Sequence, residues 1–429
     1  MGHQQEKIKE IKTMINKIKW GIIQPLTGGM YIGARNAIGH AADFILSYPG
    51  LDSVKTDSSG NMTSVGNEYN LLKWCEAHNE LPPYKVFSKQ QFDGNFSTDI
   101  ELLDTQWYSG DIDFSNADIV LSVPVCSGLS SATIADNSSK MKKNCNMLWN
   151  EMYALEVIKP KVYIFENAPA LYNSKSGEGV RNMIEDIAER NGYSVLYYKT
   201  DTQHHDNCQH RQRTFVIIMK DGVAPIGLEH ISTNVAEYLS RIPGDASQQV
   251  TINVTPENKV MWDFIKYHYG ENYREIIKPL FIDNFIKDNL WDEFDKWLKD
   301  YDCSEQLKTK IDKLFEHIRY KISLGKNFYC INPKLTYPDT KIQACNFQTI
   351  PTLIHYKEER LYNIREYLHM MGMPHDFVLY GDINDNYAKI GQNVPARTAQ
   401  FIVSEVLKLI KDWEFLEKQK EPIFIDNTK

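Results

Sequence analysis

Four apolar, β-rich runs at residues 117–122, 161–165, 193–197 and 214–219 constrain this chain's fold more than any other feature. Helix-like segments lie between the first three, around 140–158 and 178–191. Strands joined through helices come back to the same edge of one sheet. The alternation across residues 20–220 therefore predicts an α/β fold with a parallel sheet, helices on both faces, and ligands received at the carboxyl ends of the strands. Polar peptides that adjoin these runs then lie at the functional edge.

Beyond residue 220 the pattern changes to a linker containing Pro, Gly and Ser, followed by helical runs at 291–298 and 308–322. With 429 residues there is room for a catalytic and cofactor-binding domain at 1–220, a smaller domain with a helical insertion at 221–355, and a return segment at 356–429 with a closing helix near 399–409. No stretch is long and apolar enough to span a bilayer. Near the start, Lys7, Lys9, Lys12, Lys17 and Lys19 interleave with Ile8, Ile11, Ile15 and Ile18 at helical spacing, which reads as an amphipathic helix and not a signal-peptide core. The 7 cysteines are odd in number and form no CxxC pair, so reduced thiols and a cytoplasmic location are expected. A net charge of −8 counts against a broad nucleic-acid surface, although basic side chains gathered in one cleft would override it.

Four peptides carry the chemistry: Pro-Val-Cys-Ser-Gly at 124–128, Phe-Glu-Asn-Ala at 165–168, Gln-His-Arg-Gln-Arg at 209–213 and Gly-Gln-Asn-Val-Pro at 391–395. Cys126 follows an apolar run and offers a thiol; alone it reads more readily as a small buried hydrophobe. Glu166 and Asn167 follow the run 161–165, where a helix cap is the plainer reading. Gln209, Arg211 and Arg213 alternate along an extended segment and so share a face; solvated arginines are the ordinary outcome. His204, His205, Asp206, Cys208 and His210 match no standard metal spacing, so a polar loop and no metal site are expected.

Taken in order, these peptides resemble those of the DNA (cytosine-5) methyltransferases, from about residue 20 to about 408, with an interruption between about 221 and 345 where that family keeps its target-recognition region. The resemblance implies a Rossmann-like, S-adenosylmethionine-dependent methyltransferase sheet acting on double-stranded DNA, with S-adenosylhomocysteine as the spent cofactor and a monomer favoured. It implies that Cys126 attacks C6 of a flipped-out cytosine. Glu166, protonated and next to Asn167, would meet N3 and N4 of the base. Arg213 would hold the base O2, and Arg211 would orient Glu166 or a phosphate. Ser127, Gln209 and Arg365 would contact DNA, Arg365 lying in an Arg-Glu and Gly-Met-Pro pattern at 365–374.

The donor would be held by Gln24, Thr27, Gly28 and Gly29 in the glycine-rich turn, by Glu68 after Asn67, by Asp111 and Ile112, and by Gln392, Asn393 and Val394. Gln24, Leu26, Val125 and Gln392 depart from the family's pattern. These departures leave open transfer of a larger group from a modified donor, an RNA substrate, or a non-catalytic DNA-binding relative. Gln392, with one methylene more than the family's asparagine, would extend towards the donor's sulfonium arm.

Overall fold

The computed structural model describes residues 18–47, 50–86, 113–114, 116–124, 129, 148, 152, 154–245, 254–276, 288–323, 334–345, 349–411 and 420–428. Eight strands form the main sheet: β1 (Trp20–Ile23), β2 (Phe44–Ser47), β3 (Tyr84–Val86), β4 (Ile119–Ser122), β5 (Val162–Asn167), β6 (Tyr193–Asp201), β7 (Gln212–Lys220) and β8 (Ile423–Asn427), in the order β8-β6-β7-β5-β4-β1-β2-β3. The runs expected from the sequence are β4 to β7. The chain's last strand, β8, extends the sheet beyond the closing helix and was not anticipated.

The sheet is mixed, where a parallel one was expected. β7 runs antiparallel to both β5 and β6, while the other neighbouring pairs are parallel. No helical crossover separates Asp201 from Gln212; a 3₁₀ turn at Thr202–His204 and short extended pieces reverse the chain. The reversal has a positional result. The start of β7 lies at the same edge as the ends of β5 and β6, so a peptide that precedes β7 still reaches the functional edge.

Alternation along the strands divides the buried side chains between two faces. Phe215, Ile217 and Met219 join Ile164, Leu121 and Ile22 on one face, whereas Val216 and Ile218 join Tyr163, Phe165 and Val120 on the other. The first face is covered by α1 (Gly29–Ile38) and by α9 (Ala396–Lys411), the expected closing helix. The second is covered by α3 (Glu178–Arg190), which buries Val180, Ile184, Ile187 and Ala188.

The intervening segment contains α4 (Pro256–Tyr269), α5 (Trp291–Asp300) and α6 (Glu305–Ser323). Thr255 caps α4 by accepting the Asn258 N–H, with Pro256 in the first turn where its missing N–H costs nothing, and Gly270 ends the helix. These helices pack through aromatic rings: Phe294 lies 4.9 Å from Phe264 and 4.7 Å from Phe315, centroid to centroid. Their buried residues run continuously into the core of the first sheet face. Among the described residues, no helix is long and apolar enough to cross a membrane.

At the crossing of α1 with α9, a Cβ on Gly33 would lie 2.4 Å from the Ala396 carbonyl oxygen and 2.6 Å from the Ala399 Cβ. Backbone cannot yield as a flexible side chain can. Gly33→Val is expected to push α9 off the sheet and to cost about 2 kcal/mol or more in urea unfolding. Wild-type stability in that variant would refute the close crossing.

Candidate active site

Glu166 sits one residue from the end of β5, opposite Phe215 of β7. Arg213 lies two residues earlier on β7, and its Nε approaches Glu166 Oε1 at 2.6 Å, both side chains being largely withdrawn from solvent. Burial raises the Glu166 carboxyl above the ordinary range; the Arg213 and Arg211 guanidiniums pull it back without cancelling the rise. The result is an acid that keeps its proton more readily than a surface glutamate. Asn167 is buried beside it and accepts the Ala168 N–H on Oδ1 at 2.8 Å. β4 ends at Ser122, paired with Phe165, so the chain leaves β4 next to Glu166. Cys126 and Ser127 lie outside the described residues, as do Asp111 and Ile112.

A second group of polar atoms surrounds the turn after β1. Gln24 and Leu26 both adopt left-handed backbone, with φ of 50° and 52°. For Leu26 this is the conformation that a glycine would take without strain. Thr27 Oγ1 donates to the Lys389 carbonyl at 3.0 Å, and the Gly29 N–H donates to Asn393 Oδ1 at 2.8 Å. A Cβ at Gly29 would stand 1.8 Å from the Val394 carbonyl oxygen, so only glycine lets residues 393–394 close onto the turn. Gly28 before it has φ of 103°.

Glu68 precedes α2 (Tyr69–Ala77) and is fully buried, receiving the Ser47 hydroxyl at 2.5 Å and the Tyr84 hydroxyl at 3.1 Å on Oε2. Burial pushes its carboxyl up to about 8, against the Ser47, Tyr84 and Leu26 hydrogen bonds that favour the charged form. Glu68 Oε1 and Gln24 Oε1 are buried without a completed hydrogen bond among the described residues. Two acceptors beside a glycine-lined turn suit a ligand rich in hydroxyl and amino donors. Sequence reasoning missed Ser47 and Tyr84 as the residues that hold Glu68. Ser47 closes the apolar run of β2, and a polar residue ending such a run was the available signal.

Gln392 Oε1 accepts from Asn67 Nδ2 at 2.6 Å, so its additional methylene carries the amide to Asn67. It ends α8 (Ile383–Gln392), and Asn393 follows, buried.

Three of the expected site residues meet main-chain groups of the protein itself. Arg211 directs its guanidinium to main-chain carbonyls, with Nη1 on Cys345 at 3.0 Å and Nη2 on Gly391 at 2.8 Å and Asn393 at 3.0 Å; it is buried, and its charge pulls the Glu166 carboxyl down. Gln209, expected at DNA, is fully buried, donating to the Met370 carbonyl at 3.3 Å and accepting the Cys345 N–H at 2.8 Å. Arg365, likewise expected at DNA, starts α7 (Ile364–Met370) as its second residue and donates to the Pro374, His375 and Met373 carbonyls. Both polar side chains satisfy backbone groups, Gln209 at Met370 and Cys345 and Arg365 at the turn that follows its own helix, a demand that spacing along the chain does not reveal.

The histidines near 204–210 are divided among separate partners. His205 meets Glu229 at 2.9 Å, His210 meets Asp201 at 2.5 Å and His204 meets His230 at 2.7 Å. Among the described residues no group of three or more His, Cys, Asp or Glu is arranged to hold a metal ion.

A family model for C-5 cytosine-specific DNA methylases matches residues 75–408. The chain is 25% identical over 304 residues to the Type II methyltransferase M1.HphI of Haemophilus parahaemolyticus, covering 70% of each chain. It is 24% identical over 253 residues to the Type II methyltransferase M.Sau96I of Staphylococcus aureus, covering 58% of this chain and 51% of that one. In fold it resembles an E. coli prophage-encoded protein provisionally described as a DNA modification methyltransferase, with a TM-score of 0.52 at 14% identity, covering 92% of this chain and 100% of that one.

Glu68 supplies a pH test of the second group. Its carboxyl titrates near 4.5 when unfolded and near 8 when folded, so between those values the folded state holds a proton that the unfolded state has released. Stability should therefore fall as pH rises from about 5 to about 8, by at most about 4 kcal/mol. Glu68→Gln should flatten that part of the profile in urea unfolding at several pH values. An unchanged slope would mean that Glu68 is not the buried acid described.

Proposed function

The chain belongs to the C-5 cytosine-specific DNA methylase family and is a DNA cytosine methyltransferase, and from that premise we propose that it uses S-adenosylmethionine to methylate C5 of a cytosine rotated out of duplex DNA. The observation that carries the proposal is the buried Glu166–Arg213 pair at the edge where β4 delivers the chain towards Cys126. C5 of cytosine becomes nucleophilic only when a nucleophile adds at C6 and electron density moves to N3. Cys126 supplies the thiolate, and Glu166, whose carboxyl burial raises above the ordinary range, hydrogen-bonds N3 as charge develops there. Arg213 keeps the carboxyl in place and offers its remaining N–H groups to the base O2. The base must leave the stack, because neither C5 nor C6 is open to a thiolate within the duplex.

The residues around the glycine-rich turn fit the donor. Glu68 Oε1 and Gln24 Oε1 are buried acceptors for nucleoside donors. Glu68, Gly28, Gly29, Thr27, Asn393 and Val394 would hold it, with Asp111 and Ile112 on the adenine side. When bound, S-adenosylmethionine supplies an electrophilic methyl group. Gln392 reaches Asn67, an uncharged partner, so ordinary methyl transfer is favoured over transfer from a donor carrying a carboxylate.

Residues 221–355 would form the part that reads the recognised sequence, and the Type II relatives support a place in restriction–modification. Exchanging this region for that of a relative should alter the site modified and leave the modification unchanged.

Mass spectrometry of nucleosides from DNA of cells expressing the protein should show 5-methylcytosine, absent with Cys126→Ala. A heavier C5 substituent would instead identify a modified donor. Duplex DNA carrying 5-fluorocytosine should become covalently attached to the wild type and not to Cys126→Ser. Glu166→Gln should lower the single-turnover rate by about 100-fold or more. An unchanged rate would remove Glu166 from the reaction.

A further inference from the structure

Residues 391–394 are gripped from two directions. On one side, the Gly29 N–H donates to Asn393 Oδ1 at 2.8 Å and the Val394 carbonyl covers Gly29. On the other, Arg211 Nη2 donates to the Gly391 and Asn393 carbonyls at 2.8 and 3.0 Å, while Nη1 holds Cys345. Arg211 is itself fixed: its N–H donates to Asp201 Oδ1 at 3.0 Å, and its carbonyl accepts from the Thr202 N–H at 3.0 Å. Two residues further on, Arg213 grips Glu166. One short peptide, 211–213, thus holds the segment that closes on the glycine-rich turn and also the acid beside the target base.

We propose that Arg211 is a positioning residue that couples the donor site to the target-base site, through the continuous path Gly29–Asn393–Arg211–Arg213–Glu166. This rests on the reading that the two groups are the donor and base sites. Residues 391–394 lie closed on Gly29, where a donor in the turn would pack against them, and the Gly391 and Asn393 carbonyls set the height of the Arg211 fork. The Arg211 backbone then sets the start of β7 and the angle at which Arg213 presents Glu166. Only a guanidinium reaches several carbonyls in one plane; an ammonium of similar length meets one or two and leaves the others free. Coupling of this kind is reciprocal, so DNA should tighten the donor site by the factor by which the donor tightens DNA binding.

The test uses the full chain, S-adenosylhomocysteine as the donor-site probe, and fragments of unmethylated genomic DNA. For the wild type, the Kd of the probe should fall about 10-fold when DNA is saturating, within the ordinary range of such coupling. Arg211→Lys should bring that ratio close to one, raising KM for S-adenosylmethionine and lowering kcat together. Arg213→Lys should retain the probe affinity measured without DNA, which a general loss of packing would not. Because Arg211 is buried and Arg211→Lys can fail to fold, the wild-type ratio stands as a measurement of its own: a ratio of one overturns the proposal. So does a folded Arg211→Lys protein that keeps the wild-type ratio. Failure of the underlying reading looks different, since the wild type would then neither bind the probe nor transfer labelled methyl to DNA.

Discussion

The ion pair between Glu166 and Arg213 depends on a reversal of chain direction. Had β7 entered the sheet parallel to β5, its amino end would lie at the opposite edge and no arginine from 209–213 could reach the end of β5. The antiparallel insertion brings Arg213 within 2.6 Å of a carboxyl that burial pushes above the ordinary range. A carboxyl with one strong cationic neighbour and little water can hold a proton or share it. The other structural elements near the edge act on this pair by holding the strands that carry it.

The glycine-rich turn follows a different principle. Its key contacts join pieces that are remote in sequence, at turns where backbone meets backbone: Gly29 to Val394, Gly33 to Ala396, Thr27 to Lys389. Close approach is obtained by removing side chains, and the polar groups left over are Glu68 and Gln24. A hairpin formed by Val54–Thr56 and Met62–Val65 leads into Glu68 and rests on α8 through Ser64 and Asp385. The carboxylate is therefore delivered from an insertion, 21 residues beyond the Ser47 that it meets.

Much of this was legible before any coordinates. Apolar runs located β4 to β7, and amphipathic spacing located α3, α5, α6 and α9, because both periodicities are set by burial on a defined face. That Glu166 and the 209–213 peptide share one sheet edge followed from where they adjoin the strands, but the partner expected for Glu166 was Arg211, whereas Arg213 is the one that meets it. The direction of β7 was not legible, since a run of apolar residues has no arrow. Nor were the burial of Gln209, Arg211 and Arg365, because a polar side chain that satisfies distant carbonyls has the same appearance in sequence as one that faces solvent. β8 was missed for a related reason: Ile423–Asn427 is short, only half-buried, and defined by its pairing with β6.

The bond from Gly29 to Asn393 spans 364 residues. A ribosome must therefore make most of the chain before the glycine-rich turn finds its cover, and until then α1 and the first strands hold apolar surface that α9 will later bury. Contacts this distant in sequence slow folding and lengthen exposure of the unfinished sheet. In return, the turn at Gly29 stays open until residues 393–394 have been made.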